Sequence, residues 1–365
     1  MVDCTSLIST GILNLSPYQA GKPIDEVKRE LGLKEVIKLA SNENPFVSQK
    51  VKTAIKQSLN QINRYPEGGC FYLKKRLAQR LKLKPQNLIF GNGSDELIDI
   101  IIKTFVGIDE EVITSKITFL EYEIITKVNG RKVKTVPLKN FRYDLEAIKS
   151  KINEKTKVVF IANPNNPTGT YVNAKEVEQF LKGLPPNLIV VFDEAYNEFV
   201  DCADFPHTQQ YLFSKNIIIL RTFSKVYGLA GLRIGYALAR KEFVSFMEKA
   251  RPPFNVNSLA QSAALAVFSD KNFVLKTRNL ILKEKKYLYR ALDGLGLDYI
   301  LSQANFILIN VNKDTVKIFK EMLKCGIIVR DMKQYGLNTY IRATIGKPSE
   351  NRRFIEVLRK VMGHR

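Results

Sequence analysis

Histidine and tryptophan are nearly missing: the 365 residues hold two His and no Trp. With only His207 and His364 available, a histidine-based metal centre or a Ser-His-Asp triad has almost no material. Cys4, Cys70, Cys202 and Cys325 are scattered without C-x-x-C spacing, which predicts free thiols in a reducing compartment rather than a disulfide framework or a zinc site. No stretch approaches the roughly 18 consecutive apolar residues of a membrane span. The start, Met1-Val2-Asp3-Cys4-Thr5, lacks a basic, apolar secretory leader. The expectation is a soluble cytoplasmic protein with no membrane partner. Acidic residues are the other shortage, 36 against 57 Lys and Arg, for a net charge of +21. The excess lysine is spread along the chain (Lys50, Lys52, Lys56, Lys74, Lys75, Lys82, Lys84), with no arginine-rich tail and no basic block interleaved with aromatics. A solvated basic surface that favours anionic ligands is the expected reading, without nucleic acid as a partner.

What is present is an ordinary globular composition, 45% hydrophobic, in a chain long enough for two domains and a core that needs no disulfides. The middle alternates between apolar runs and helical stretches. Runs at 157–162, 188–192 and 217–220 are continuous and β-branched, as in strands buried on both faces of a mostly parallel sheet. A polar helix is expected at 173–182. Residues 41–250 therefore read as one α/β domain, a mostly parallel mixed sheet covered by helices. After the Arg251-Pro252-Pro253 break the rhythm becomes α+β: a run at 305–309, a helix at 315–325, runs at 326–330 and 340–342, and a terminal helix from about Ser349. This predicts a smaller second domain over 251–365.

Four segments each close an apolar run, and ligands of open α/β sheets gather beyond the carboxyl ends of the strands. Gly91-Asn92-Gly93-Ser94-Asp95-Glu96 precedes a helical run, so its backbone N–H groups and helix start suit a phosphate. A plain turn capped by Ser94 or Asp95 fits the same residues. A nicotinamide fingerprint would need glycine in place of Glu96. Asn163-Pro164-Asn165-Asn166-Pro167-Thr168-Gly169 is stiffened by two prolines and can hold the Asn166 amide at a set position, or is an ordinary tight loop. In Asp193-Glu194-Ala195-Tyr196 a carboxylate ends a buried strand, which is costly unless it meets a cation or donors. A protonated pyridine nitrogen is one such partner and a nearby helix start another. Arg221-Thr222-Phe223-Ser224-Lys225 puts a lysine at a strand end, where desolvation makes an amine nucleophilic. Ser224 and the following Arg233 suit phosphate oxygens.

Together with Ser41-Asn42-Glu43-Asn44-Pro45 and Gly231-Leu232-Arg233-Ile234-Gly235-Tyr236, these segments resemble the fold-type I pyridoxal-phosphate (PLP) aminotransferases. Within them the resemblance is greatest to histidinol-phosphate aminotransferases. It runs from Pro17-Tyr18-Gln19 and Gly21-Lys22-Pro23 through Ser302-Gln303-Ala304-Asn305-Phe306 and Val329-Arg330-Asp331 to Ile341-Arg342 and Ile345-Gly346, nearly the whole chain.

The resemblance implies that residues 1–40 join 251–365 in the smaller domain. It implies that Lys225 holds PLP as a Schiff base and moves a proton as acid and base, and that Asp193 pairs with the pyridinium nitrogen. Asn166 and Tyr196 would hydrogen-bond the ring's phenolic oxygen, and Ser94, Asp95, Ser224 and Arg233 would line the phosphate cup. Tyr65 would reach the neighbouring subunit's cofactor phosphate, which implies a homodimer with shared active sites. Arg330 and Arg342 would bind the substrate's anionic end, with Tyr18 and Asn44 lining the substrate pocket; surface charge is the plainer account of the arginines, although both sit in or beside apolar runs. One segment departs from the family pattern. Lys116-Ile117-Thr118-Phe119 lacks the usual proline, though Phe119 can still stack on the ring. The implied reaction moves an amino group between L-histidinol phosphate and 2-oxoglutarate, a step of histidine biosynthesis. Threonine-phosphate decarboxylase and aromatic amino-acid aminotransferase are the alternatives on the same fold. A basic nucleic-acid-binding protein on a PLP-enzyme scaffold is the reading from another class.

Overall fold

The computed structural model describes residues 4–13, 15–17 and 21–363. After a short strand β1 (Ile37–Lys38) come β2 (Leu88–Gly91), β3 (Glu111–Ser115), β4 (Lys132–Val136), β5 (Thr156–Ala162), β6 (Ile189–Asp193), β7 (Ile217–Thr222) and β8 (Gly235–Leu238). The last seven form one sheet in the order β2-β8-β7-β6-β5-β3-β4. All neighbours are parallel except β8, which runs against both β7 and β2. In β2, β3, β6 and β8 every residue is buried, and this is why the runs are continuous rather than alternating. β4, at the edge, exposes Lys132 and Lys134, charges that blunt an open strand.

The antiparallel β8 matters for function. A parallel crossover would return the chain at the opposite edge, but the connection over 223–234 turns back directly. The carboxyl ends of β2, β3, β5, β6 and β7 and the start of β8 therefore share one edge of the sheet.

The second sheet takes β9 (Tyr299–Ile300), β10 (Phe306–Asn310), β12 (Arg330–Asp331) and β13 (Tyr340–Thr344), all antiparallel, in the order β12-β13-β10-β9. β11 (Ile327–Ile328) instead pairs in parallel with β1. The run at 326–330 thus serves two sheets, since Val329 separates β11 from β12. Helix Ser258–Phe268, past the expected boundary at 250, packs along helix Gln49–Ser58, with Ser58 Oγ donating to Ser262 Oγ at 2.8 Å. One apolar core draws on residues from Leu39 to Leu358 and joins the seven-stranded sheet to the four-stranded one. Among the described residues no helix is long and apolar enough to cross a membrane.

Candidate active site

The shared sheet edge surrounds a cavity of about 340 Å³. Ser94 and Asp95 enter it from the end of β2, Phe119 from β3, Asn166 from β5, and Asp193 and Tyr196 from β6. Ser224 and Lys225 follow β7, Arg233 precedes β8, and the far wall is Ser41, Asn42, Glu43 and Arg342.

Asp193 ends a fully buried strand, and burial pushes its carboxyl up from 3.8 to about 6. Two donors oppose the shift: the Tyr122 hydroxyl at 2.7 Å and the Ala195 N–H at 3.1 Å. Tyr122 is itself completely buried, stacked on Phe160, and its phenol is held well above its ordinary range by burial and then by the Asp193 charge. Tyr122 therefore remains a donor. A carboxylate placed this way calls for a cation on its open side.

The neighbouring end of the cavity is built for an anion. Gly93, at φ 86°, caps helix Ser94–Phe105, whose first residues Ser94 and Asp95 line the cavity and whose first N–H groups have no acceptor within the helix. A side chain there would run into the Arg233 guanidinium, and one on Gly235 would press on Ser94 N at 2.8 Å. Arg233 is held in place by Asp95, whose carboxylate accepts from it at 2.7 Å.

Lys225 Nζ donates to the Ser41 carbonyl at 3.4 Å and lies 5.5 Å from the centre of the Tyr196 ring. Arg342 donates to the Asn166 side-chain oxygen and, at 2.7 Å, to the Ala40 carbonyl. Arg330 and Arg342 are opposite one another in the β12–β13 register, and both are buried. Like charges in opposed positions repel, so this pair favours an anion beside it.

The loop that lacks the family's proline is held another way. Asn165 Nδ2 donates to the Ile117 carbonyl at 3.0 Å, and Thr118 Oγ1 donates to Asn165 Oδ1 at 2.8 Å. Phe119 then meets Tyr122 edge-on at 5.6 Å and lines the cavity.

Three of the expected residues lie elsewhere. Asn44 donates to Val226 O at 2.7 Å and lines an adjoining groove. Arg330 donates to Gln334 Oε1 at 3.2 Å just behind Arg342. Tyr65 is 82% exposed and stacks on Phe254. Tyr18 falls outside the described residues. Tyr122 and Asn42 were not among the residues expected at the site. The one available sign for Tyr122 was its position three residues past Phe119, at the start of a helix.

Among the described residues no cluster of His, Cys, Asp and Glu could hold a metal ion. The donor set instead fits PLP: a buried carboxylate for a ring cation, a helix start and an arginine for phosphate, and a lysine amine for the aldehyde carbon.

The family model for aminotransferase class I and II matches residues 34–358. The chain is 46% identical over 353 residues to a histidinol-phosphate aminotransferase of Caldicellulosiruptor saccharolyticus, covering 96% of this chain and 99% of the relative. A histidinol-phosphate aminotransferase of Sinorhizobium meliloti, solved in complex with pyridoxal-5'-phosphate, superposes with a TM-score of 0.90 at 28% identity, over 98% of each chain. An L-threonine-O-3-phosphate decarboxylase of Porphyromonas gingivalis gives 0.79 at 25% identity, over 90% of this chain and 100% of that one.

Proposed function

Because the chain belongs to the class I and II aminotransferases, we propose that it transfers an amino group between L-histidinol phosphate and 2-oxoglutarate, with PLP as cofactor. The observation that carries the chemistry is the pairing, around one cavity, of a buried carboxylate in need of a cation with a lysine amine in the loop after the next strand. When bound, PLP supplies an electron sink for the pair of electrons left at the substrate's Cα.

The protein's own groups divide the remaining work. Asp193 keeps the ring nitrogen charged. Lys225 Nζ would hold the cofactor and is the group placed to take the proton from the substrate's Cα and return it. Asn166 and Tyr196 would hold the ring oxygen, and Phe119 would pack on the ring. Ser94, Asp95, Ser224 and Arg233 form the phosphate cup. Arg342, with Arg330 behind it, takes the anionic end of either substrate, and Tyr18 and Asn44 belong to the approach. The rings of Tyr65, Phe71 and Tyr72 are all largely exposed, which supports a homodimer in which Tyr65 serves the partner's site. The reading includes a cytoplasmic location and the two-part division at residues 41–250 against 1–40 with 251–365.

The test is the visible absorption of the PLP-loaded protein. L-histidinol phosphate should bleach the band, and 2-oxoglutarate should restore it. Release of carbon dioxide from threonine phosphate without amino transfer from histidinol phosphate would overturn the substrate reading.

The phosphate cup gives a second expected outcome. Gly93→Ala should weaken PLP binding by at least about tenfold, as expected when a charge-assisted hydrogen bond of about 1.5–3 kcal/mol is lost. The added methyl displaces Arg233 and strains a positive φ. Equilibrium dialysis reads this directly, and unchanged affinity would remove Arg233 from the cup.

A further inference from the structure

Asn42 lines the cavity wall, and the proposed reaction gives it nothing to do. It is 1% exposed and sits at φ 55°, a conformation that asparagine tolerates better than most residues. Each of its polar groups is engaged. Its N–H donates to Thr344 Oγ1 at 2.9 Å, and its carbonyl accepts from Asn305 Nδ2 at 3.1 Å. Its side-chain oxygen accepts from Thr344 Oγ1 at 3.3 Å, and its Nδ2 donates to the Tyr196 hydroxyl at 3.0 Å.

The order of these bonds fixes a direction. The Thr344 hydroxyl accepts the Asn42 N–H and has one proton to give, which goes to Asn42 Oδ1. The amide oxygen therefore faces Thr344 and the NH2 group faces Tyr196. The Tyr196 oxygen accepts on that side, so its own proton points away from Asn42. Tyr196 is 5% exposed, packed edge-on against Phe306 at 5.2 Å, and lines the cavity. The same strand treats Asn166 likewise: Arg342 occupies its side-chain oxygen and leaves its NH2 to face other partners. Arg342 and Thr344 are two residues apart on β13 and so share one face.

We propose that Asn42 is a positioning residue that, held by Thr344, fixes Tyr196 as a hydrogen-bond donor to the ring oxygen of bound PLP. This rests on the function proposed above and extends it. The second sheet thereby sets the polarity of a contact made on the first. An acceptor at position 42 would reverse that polarity, because a carboxylate takes the Tyr196 proton for itself.

The experiment is a pH titration of the visible band of the PLP-loaded protein, comparing Asn42→Asp with the unsubstituted chain and repeating the pair in a Tyr196→Phe background. A donor to the ring oxygen favours its negative form, so losing it moves the colour change to higher pH. Asn42→Asp should raise the midpoint by about one pH unit more in the Tyr196 background than in the Tyr196→Phe background. Any direct effect of the new charge appears in both and cancels. Equal shifts in the two backgrounds, or none in either, would overturn the proposal. Asn42→Gly retains the positive φ and should fold with a smaller shift, because the Tyr196 proton is then free to turn either way. Urea unfolding of each cofactor-free variant separates misfolding from a change of polarity. An unsubstituted chain that takes up no PLP would refute the proposed function itself, an outcome distinct from an unchanged midpoint.

Discussion

Replacing Lys225 by alanine should lower turnover of L-histidinol phosphate with 2-oxoglutarate by at least about 10³-fold, within the range of about 10²–10⁴ typical of a positioned acid–base group. The loss would be compounded, because on the proposed reading the same amine anchors the cofactor. Lys225 is suited to both tasks by its place. It follows β7 at the shared sheet edge, its amine reaches back to the Ser41 carbonyl, and the Tyr196 ring lies alongside. The substitution removes one long hydrogen bond and no part of the apolar core, so the stability of the cofactor-free protein should change by less than about 1 kcal/mol. Steady-state kinetics and urea unfolding on the same preparation check both halves. Turnover within tenfold of the unsubstituted protein would take the proton-carrying role away from Lys225.

Asp193→Asn should do two opposite things at once. Activity should fall by about 10²–10⁴-fold, since breaking a buried ion pair costs about 3–5 kcal/mol. The cofactor-free protein should become more stable at neutral pH. The carboxyl is at about 6 in the folded chain against 3.8 ordinarily, so the folded state binds the proton more tightly than the unfolded one. Its contribution to stability is full below about pH 4 and is lost as pH rises through about 6. An amide carries no such charge and still offers an oxygen to Tyr122 or the Ala195 N–H. The gain near pH 7.5 should be about 2–3 kcal/mol, vanishing below about pH 4. Denaturation of both cofactor-free proteins across this range measures it. A loss of stability at neutral pH would mean that the Asp193 charge is already compensated without a bound cation.

Much of the fold was legible because burial on both faces writes itself into composition. The runs at 157–162, 188–192 and 217–220 became β5, β6 and β7 within two residues at each end. The helix expected at 173–182 is Ala174–Leu181, started by an Asn173–Glu176 capping box. Asp193 could be singled out because it directly follows such a run, and Lys225 because it lies in the short Arg221–Lys225 segment just beyond another. The antiparallel direction of β8 was not legible, since a four-residue buried strand looks the same in either direction. Nor was the division of 326–330 between two sheets, which depends on pairing with residues almost 300 positions earlier. Tyr122 and Asn42 escaped for the same reason. Their partners, Asp193 and Tyr196, lie 71 and 154 residues away, and no local pattern records such a contact. The absent proline near Phe119 was visible, but its substitute, the Asn165 amide, is 48 residues downstream.

The pairing of β1 with β11, and of Ala40 and Asn42 with Arg342 and Thr344, also sets a timetable. A chain emerging from the ribosome completes every strand of the seven-stranded sheet before Asn305, Arg330, Arg342 or Thr344 exists. During that interval Ser41 and Asn42 have no fixed position, and the edge that carries Lys225 lacks its far wall. Closing a loop of about 300 residues is entropically only a little harder than closing a short one, but such distant contacts form late and slowly. On the proposed reading cofactor capture belongs to the last stage of biogenesis, and a chain cut short before β13 would carry Lys225 on a largely finished sheet without the Arg342 wall that encloses the cavity.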